Sequence, residues 1–492
     1  MKTRLLIIQA LALIACVSAF SRTTYPKHEE RAVWLTTIGG LDWPSRYAQS
    51  PSSIERQQKE LTDMLDRLRQ ANINTVMLQT RVRATTIFPS TAETGMEPWD
   101  GCLSGRPGVS PGYDALAFAI DECHRRGMAL HAWIVTIPVG KWNGTGCMAL
   151  RKRHPDIVMK IGDEGYMNPA KAGTADYLAR YCADITRRYD IDGIHLDYIR
   201  YPETMRRLPP QDEGRRNITH IVKEISQSVR DVKPWVRISC SPIGKHDDTR
   251  RFWSHGWNAR QRVMQDAKAW MRDGLMDALY PMMYFRGENF YPFAVDWQEG
   301  AYGRTISPGL GIYFLDPKEG RWQLDDVTRE MYVLRELGMG FCMFRTKFFL
   351  NDVKGIYSFV RETFAPYPAL VPSLPSAHGD APRQPAELTI TPSPTCLTIS
   401  WRYGYMQPEG GIRYNVYGSD TYPVDTDNPE NIIATGLSAT HLSVPRTRTV
   451  AYYAITAADR YGRESHPRQM EKPQRTTRKV MPAWWYVTHP NG

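Results

Sequence analysis

The sequence predicts an α/β protein built from a (β/α)8 TIM barrel followed by a small all-β sandwich. Short apolar runs alternate with amphipathic stretches from residue 29 to residue 364. A proline-rich segment follows, and beyond it short apolar runs alternate with polar residues and turn residues. The chain has 492 residues, which is enough for two domains.

Residues 29–364 contain eight candidate strands, each followed by a stretch with helical character. In residues 54–70, for example, Leu61, Leu65 and Leu68 recur at helical spacing. Eight strand-then-helix units in about 330 residues are typical of a closed parallel barrel. The candidate strands are residues 31–37, 74–81, 128–136, 193–199, 236–242, 276–284, 308–314 and 338–346.

A doubly wound open sheet is the alternative arrangement of the same elements. Such sheets usually carry a glycine-rich phosphate-binding turn after their first strand. Here the first strand is followed by Gly39, Gly40 and Leu41, which lack the full glycine pattern. The barrel is therefore the favoured prediction.

The C-terminal third predicts a linker, a module and a tail. Residues 365–383 are rich in proline and indicate a stiff linker. Residues 384–475 contain short alternating strands, and the order of Trp401, Tyr414 and Tyr452 resembles a fibronectin type III module, an immunoglobulin-like sandwich. Residues 476–492 form an aromatic tail, which we expect to dock on this module, with sugar contact as the alternative.

The N-terminus has the features of an export signal. Lys2 and Arg4 precede an apolar run that is too short to span a bilayer. Two cleavage sites compete: signal peptidase cleavage after Ala19, and a lipobox that makes Cys16 the lipidated first residue. We therefore expect an exported bacterial protein that is periplasmic, extracellular, or anchored through Cys16 as an outer-membrane lipoprotein.

The formal net charge of +10 fits acidic partners such as cell-wall polymers, or simply a solvated basic surface. No block of lysine and arginine is interleaved with aromatic residues, so the sequence gives no sign of a nucleic-acid groove.

The cysteine spacing shows no metal pattern. Cys102 and Cys147 fall in predicted loops and are a candidate disulfide pair, whereas the cysteines in apolar segments are expected to be buried thiols.

The fourth candidate strand carries the clearest chemical signal. Side chains alternate faces along a strand, so Ile194 and Leu196 point to the helices while His195 and Asp197 point into the barrel. Asp197 is the higher of the two, near the C-terminal rim where barrel enzymes place catalytic groups. A structural ion pair with Arg81 or Arg200 is the alternative role for Asp197.

Polar and aromatic residues at other strand ends are candidate substrate contacts. Guanidinium and amide groups suit sugar hydroxyls or a carboxylate, and aromatic rings stack on sugars. For Gln79 and Arg81, the alternative role is to orient Asp197. For His131, the alternative is a buried position in the core. The candidates at strand ends are Gln79, Arg81, His131, Trp133, His195, Tyr284 and Arg345. The loops are expected to add the tryptophans Trp43, Trp99, Trp142, Trp253, Trp257 and Trp297.

Taken together, these segments resemble the glycosyl-hydrolase-like 10 family of bacterial barrel proteins over about residues 29–360. The resemblance implies glycosidase-like activity on a polysaccharide or a peptidoglycan-type cell-wall glycan, with Asp197 in the position of the catalytic carboxylate. Chitinase-type chemistry is not expected, because Ile199 stands where chitinases have their proton-donating glutamate. The matching segments are residues 31–34, Gln79 with Arg81 and Ser90, residues 97–99, Tyr113 and Asp114 with Leu116, residues 131–133, 168–169, 192–198 and 280–284.

Most glycosidases need two carboxyl groups, so a partner is required for Asp197, which we expect to act as nucleophile or base. The candidates are Glu203, Glu288, Asp296 and Asp316, and Glu288 is favoured because its loop can fold over the barrel mouth. We expect Arg81 and His195 to keep Asp197 ionised.

Two other functions remain open from the sequence. The presence of one clear carboxylate supports a non-catalytic glycan-binding barrel. A metal-dependent hydrolase would need clustered ligands, for which only His131, His195 and Asp197 are plausible neighbours. No cofactor or metal is expected.

Overall fold

The structure is a computed structural model that describes residues 25–375 and 379–470. The predicted export signal and aromatic tail lie outside these residues. Among the described residues, no helix combines the length and apolarity needed to cross a bilayer.

Eight parallel strands, β1 to β8, form the first domain, and β7 consists of two short pieces. They are Arg31–Leu35, Thr75–Val82, Ala129–Val135, Gly193–Asp197, Arg237–Cys240, Ala278–Leu279, Thr305–Ile306 with Gly309–Leu310, and Phe341–Met343.

The eight strands close into a ring, which confirms the predicted barrel. Each strand pairs in parallel with the next, and β8 pairs with β1. The first piece of β7 bonds to β6, and the second piece bonds to β8. Because all strands run the same way, their C-terminal ends meet at one mouth of the barrel.

Helices α1 to α8 cover the outside of the barrel and bury one face each. In α1, Ser50 caps the N-terminus, Pro51 begins the first turn, and Leu61, Leu65 and Leu68 pack inward. The helices are Pro51–Gln70, Ala115–Arg125, Ala172–Arg188, Gln211–Val232, Ala267–Arg272, Tyr291–Glu299, Leu324–Glu336 and Ile356–Phe359.

The connections between strands and helices contain further short elements. A small antiparallel sheet follows β3 and consists of Pro138–Lys141, Val158–Ile161 and Glu164–Met167. A two-residue strand, Thr85–Thr86, folds back and pairs antiparallel with the end of β2. The short helices are Gly101–Ser104, Thr145–Arg153, Ala259–Arg262 and Thr346–Leu350, with 3-10 turns at Ile38–Gly40, Pro155–Ile157, Gly287–Asn289, Ile312–Leu315 and Val353–Gly355 and a π turn at Val360–Phe364.

The barrel interior is filled by aromatic and histidine side chains. The rings of Trp34, Trp133 and Tyr280 all lie within 6.4 Å of the His195 ring, centroid to centroid. Gly193 leaves room for His131, because a Cβ at this glycine would lie 2.6 Å from the nearest ring carbon of the histidine. This packing fills the centre of the barrel between the mouth and the bottom.

The bottom of the barrel carries buried charges that are paired. Glu30 accepts a hydrogen bond of 2.6 Å from the hydroxyl of Tyr280 and forms an ion pair of 3.4 Å with Arg237. Arg237 also donates to the carbonyl of Pro372, so the proline-rich segment after the barrel lies against this bottom. These contacts satisfy charges that would otherwise be costly to bury.

The C-terminal region is an all-β sandwich of two antiparallel sheets, as predicted; its likeness to a fibronectin type III module remains a prediction. The sheets have the orders β9-β10-β13 and β12-β11-β14-β15. Between them pack Ile399, Trp401, Tyr414 and Ile455. Strands β9 to β15 are Ala386–Pro392, Cys396–Arg402, Arg413–Ser419, Ile432–Leu437, His441–Pro445, Tyr452–Ala458 and Arg468–Gln469, with 3-10 turns at Pro429–Asn431 and Arg446–Arg448.

Ion pairs attach the sandwich to the bottom of the barrel. The side chain of Arg460 is only 5% exposed and pairs with both Asp190 and Asp192, just before β4. Arg413 adds a second pair with Asp190, at 3.0 Å. His124 also bonds Asp192, at 2.8 Å. Asp192 is thus a structural residue at the end of the barrel opposite Asp197.

The expected disulfide between Cys102 and Cys147 is not present. Both residues are buried free thiols, and both lie in short helices rather than in the predicted loops. Burial raises the pKa of Cys102, which keeps its thiol protonated.

Replacement of Gly193 by alanine tests the packing inside the barrel. The added methyl group would meet the buried His131 ring, so we expect the free energy of unfolding to fall by about 1–3 kcal/mol. Chemical denaturation measures this change. Gly404→Ala is the matched control, because the nearest atom to its Cβ is 4.0 Å away. Equal stability of the two variants would contradict the described packing.

Candidate active site

A cavity of about 700 Å³ opens at the mouth of the barrel. Its walls come from the C-terminal ends of several strands and from the loops that follow them. Its lining includes Thr36, Ile38, Leu41, Gln79, Val82, Arg83, Trp133, Val135, Ile137, Pro138, Gly140, Glu164, Gly165, Tyr166, Asp197, Tyr198, Arg200, Pro202, Glu203, Met282, Tyr284, Tyr313, Glu319, Phe344, Arg345 and Phe348.

Asp197 lies at the end of β4 in the wall of this cavity, with 6% of its surface exposed. Its Oδ2 accepts a hydrogen bond of 3.1 Å from the indole of Trp133 on β3. Its Oδ1 accepts bonds of 2.8 Å from the hydroxyl of Ser241, just after β5, and from the backbone amide of Tyr198. Three donors from neighbouring segments therefore fix the carboxyl group in one orientation.

Burial raises the pKa of Asp197 above that of an ordinary aspartate. The nearby guanidinium of Arg200 and the hydrogen bonds from Ser241, Trp133 and Tyr198 lower the pKa and oppose this effect. The outcome is a carboxyl that is easier to protonate than an exposed one, although it is well supplied with donors.

The turn after β4 holds a second carboxyl at the cavity. Arg200 is buried and bonds Glu203, with the Nε atom 3.0 Å from Oε1. The ring of Tyr198 covers the guanidinium, whose carbon lies 4.1 Å from the ring centroid. Tyr198 adopts a positive φ of 54°, which turns the chain sharply directly after Asp197. Asp197 and Glu203 thus reach the same cavity from one short segment.

Aromatic side chains cover the opposite wall of the barrel mouth, on the segments after β6, β7 and β8. The ring of Tyr284 lies 5.3 Å from that of Phe344 and 5.8 Å from that of Tyr313, centroid to centroid. Rings in this arrangement offer flat apolar surface beside polar hydroxyls, which suits the mixed surface of a sugar.

Four of the predicted contact residues line the cavity, namely Gln79, Trp133, Tyr284 and Arg345. Gln79 uses its Oε1 to accept bonds from the amides of Thr37 and Ile38, which fixes the turn after β1. Arg345 pairs with Asp42 at 2.7 Å. Both residues therefore help to shape the loops at the mouth as well as to line it.

Arg81 does not reach the cavity, contrary to expectation. It is fully buried and bonds both carboxylate oxygens of Glu97, while its Nη1 bonds the carbonyl of Thr136 at 3.0 Å. Glu97 also accepts a bond of 2.8 Å from the hydroxyl of Tyr177. Arg81 therefore holds a loop against the barrel and does not contact Asp197.

The two predicted histidine contacts also lie away from the cavity. His195 is buried below it, where its Nε2 accepts from the indole of Trp34 at 3.1 Å and its Nδ1 lies 3.1 Å from the hydroxyl of Ser239. Burial lowers the pKa of His195 well below its ordinary value, and it lowers the pKa of His131 to about 4. Both are neutral core residues, so His195 does not stabilise an ionised Asp197.

Of the four candidate partners for Asp197, only Glu203 lines the cavity. Glu288, the favoured candidate, lies exposed on a 3-10 turn away from it. Asp296 pairs with Lys268 at 2.7 Å, and Asp316 accepts a bond from the amide of Lys318. Within the loop after β6, Tyr284 lines the cavity, but Glu288 lies further along on the 3-10 turn and does not.

Several residues at the site were missed from the sequence. Glu164 and Glu319 line the cavity, and Glu164 pairs with Lys141 at 2.7 Å. Their loops gave no periodic signal that would place them. Ser241 could have been found, because it lies two residues after Ser239 and so shares its inward face.

Within residues 25–375 and 379–470, no three histidine, cysteine, aspartate or glutamate side chains come together in a way that could hold a metal ion. His131, His195 and Asp197 lie at successive levels of the barrel and have separate hydrogen-bond environments.

The sequence of the chain was compared with known protein families and with individual proteins, and it matches one family. The profile of the family described as Glycosyl hydrolase-like 10 matches residues 29–213 and 210–305. Glycosyl hydrolase YngK of Bacillus subtilis (strain 168) is 27% identical over 76% of this chain and 79% of its own length. Glycosyl hydrolase DigH of Escherichia coli (strain K12) is 30% identical over 52% of this chain and 65% of its own length.

Among solved structures, alpha-L-fucosidase isoenzyme 2 from Paenibacillus thiaminolyticus matches with a TM-score of 0.46 and 16% identity, over 68% of this chain and 50% of the other. At this TM-score, the likeness adds nothing to the strand pairing described above.

Replacement of Arg81 by methionine separates its structural role from ligand binding. Glu97 would be left buried without its charge partner, so we expect the free energy of unfolding to fall by about 3–5 kcal/mol. Adding Glu97→Gln to this variant should restore part of the loss. Chemical denaturation of both variants measures these changes. Unchanged stability together with weakened glycan binding would show that Arg81 contacts ligand instead.

Proposed function

The chain belongs to the Glycosyl hydrolase-like 10 family, and from this premise we propose that it is a glycoside hydrolase in which Asp197 is a catalytic carboxyl. The proposed substrate is a polysaccharide or a cell-wall glycan, and the proposed chemistry is acid/base hydrolysis by carboxyl groups. The single observation that carries the proposal is the buried, hydrogen-bonded carboxyl of Asp197 in the wall of the mouth cavity.

The cavity suits a saccharide in size and in chemistry. Its volume of about 700 Å³ falls within the range of about 300–1,000 Å³ that is usual for small-molecule sites. Aromatic rings supply stacking surfaces, and Tyr284, Tyr313 and Arg345 bring polar groups to the wall. The relatives named above carry the words glycosyl hydrolase in their names, which supports the same class of activity here.

The environments of the two carboxyls favour different roles. Burial raises the pKa of Asp197, which is the direction that a general acid requires. Glu203 lines the same cavity and accepts a hydrogen bond from Arg200, so it is the second carboxyl available as base or nucleophile. We therefore assign the acid role to Asp197 and the base or nucleophile role to Glu203, where the sequence alone had suggested the base or nucleophile role for Asp197.

In this mechanism, the glycosidic oxygen of the substrate takes a proton from Asp197 as the bond to the anomeric carbon breaks. Glu203 either removes a proton from the water that attacks the anomeric carbon, or attacks this carbon itself to form a glycosyl ester. In the second case, a water molecule that gives its proton to Asp197 then hydrolyses the ester, which releases the sugar and frees Glu203. Trp133 and Ser241 orient the Asp197 carboxyl throughout, and they stabilise the carboxylate that remains after proton transfer. Each group thus performs a step that its surroundings support.

Export is a further part of the proposal and depends on the N-terminal sequence alone. A glycan outside the cytoplasm would be reached by a protein that is cleaved after Ala19 or lipidated at Cys16. Both residues lie outside the described part of the chain.

Replacement of Asp197 by asparagine tests the proposed chemistry. The amide keeps the shape of the side chain but cannot supply a proton, so we expect hydrolysis to fall by about 10²–10⁴-fold. Release of reducing ends from plant, host and bacterial wall glycans measures the rate. Full activity of the variant would overturn the assignment. Glycan binding without hydrolysis by the unmodified protein would point to a binding protein instead.

Replacement of Trp133 by phenylalanine tests which role Asp197 plays. Loss of the indole donor raises the pKa of Asp197 further, because the ionised carboxylate loses a hydrogen bond. If Asp197 is the acid, the alkaline limb of the pH profile of kcat/KM moves to higher pH. If it is the base, the acidic limb moves instead, which would contradict the assignment. Trp270→Phe is the matched control, because its indole bonds Thr219 on the outer helices.

A further inference from the structure

The loop from Ser241 to Asp266, here called the β5 loop, exposes two tryptophan side chains. Trp253 is 73% exposed and Trp257 is 39% exposed. Trp43 and Trp297, which were also expected in loops, are fully buried against the barrel. Exposure of large indoles is therefore particular to the β5 loop among these tryptophans, and packing of the barrel does not explain it.

The β5 loop is joined at both ends to the wall of the mouth cavity. At its start, Ser241 donates to Asp197, and Ile243 forms a parallel bridge with the cavity residue Met282. At its end, Val263 accepts a bond of 3.1 Å from the amide of Tyr201, within the turn that carries Glu203. Because the loop begins after β5 and ends beside the turn after β4, both of its ends lie at the same end of the barrel as the cavity.

Internal hydrogen bonds fix the shape of the β5 loop. Asp248 accepts a bond of 2.6 Å from the amide of Ser254, and Asn258 donates to the hydroxyl of Ser254 at 2.9 Å. Phe252 anchors the loop, with its ring 6.3 Å from that of Phe293 on α6. The hydrogen-bonded loop therefore leaves Trp253 exposed to solvent, whereas the neighbouring Phe252 packs against Phe293.

We propose that Trp253 and Trp257 form a second carbohydrate-binding surface, outside the cavity, for the glycan chain whose reacting part lies beside Asp197. This inference rests on the proposed function for the identity of the ligand. The apolar faces of sugar rings stack on indoles, and their hydroxyls need polar neighbours. The β5 loop supplies both, because exposed Arg250 and His255 lie beside the tryptophans in the chain.

The mixed character of the surface favours a glycan over other partners. A protein or a bilayer that buries apolar surface would match a continuous apolar patch. Here the polar segment Ser254 to Gly256 separates the two indoles and the charged Arg250 and Arg251 precede them, so the apolar surface is not continuous. A polymer whose sugar units present repeated apolar faces and hydroxyls fits two separate indoles on a loop whose ends are bonded to the cavity wall.

Binding is tested first, in protein that carries Asp197→Asn so that the polymers stay intact. Affinity electrophoresis with xylan and hyaluronan and sedimentation with purified peptidoglycan sacculi provide the probes. We expect Trp253→Ala with Trp257→Ala to weaken binding of at least one polymer by roughly tenfold or more, which corresponds to about 1.4 kcal/mol. Tyr302→Ala is the matched control, since Tyr302 is 56% exposed and precedes β7, at the opposite end of the barrel.

Hydrolysis is then compared in protein that keeps Asp197. For the polymer that binds, we expect the double tryptophan variant to raise KM by roughly tenfold at unchanged kcat. Short oligosaccharides that occupy the cavity alone should be cleaved as before. Equal losses on polymer and oligosaccharide would overturn the inference, because they would indicate damage to the cavity.

The outcomes separate this inference from the proposed function. Loss of polymer binding in the tryptophan variant without any hydrolysis by the unmodified protein would support the surface and overturn the enzyme. Hydrolysis with unchanged binding in the variant would do the reverse. The inference is also overturned if the Asp197→Asn protein binds none of the polymers, or if it binds phosphatidylglycerol vesicles through the same tryptophans.

Discussion

The hydrogen bonds that converge on the carboxyl of Asp197 are the contacts on which the site depends. They come from Trp133 on β3, from Ser241 after β5, and from the backbone just beyond β4. Parallel pairing of β3 with β4 and of β4 with β5 brings these three strand ends together at the mouth. The fold therefore both buries the carboxyl and supplies the donors that make its burial tolerable.

The other charges in the barrel are paired and have a different role. Arg81 with Glu97 holds a loop, while Glu30 with Arg237 closes the bottom. His195 fills the centre as a neutral ring, because burial lowers its pKa. These pairs maintain the shape of the barrel, whereas Asp197 is the carboxyl in the wall of the mouth cavity whose pKa burial raises. Stability and proposed chemistry thus use separate groups at separate levels of the molecule.

The sequence predicted the features that follow from periodicity and missed those that depend on loops. Alternation along β4 identified Asp197, and strand ends identified Gln79 and Trp133 as cavity residues. The sequence pattern could not pair Arg81 with Glu97, because Glu97 lies on a loop sixteen residues later. Nor could it separate Glu203 from Glu288, since both follow strands and only the path of each loop decides which one reaches the cavity.

The most direct test of the central claim is a crystal structure of the Asp197→Asn protein with a bound glycan that the unmodified protein cleaves. The account predicts a glycosidic oxygen within hydrogen-bonding distance of the side chain at position 197, about 3 Å, with the sugar rings against the aromatic wall. A glycan that fills the cavity with every glycosidic oxygen far from this side chain would contradict the account.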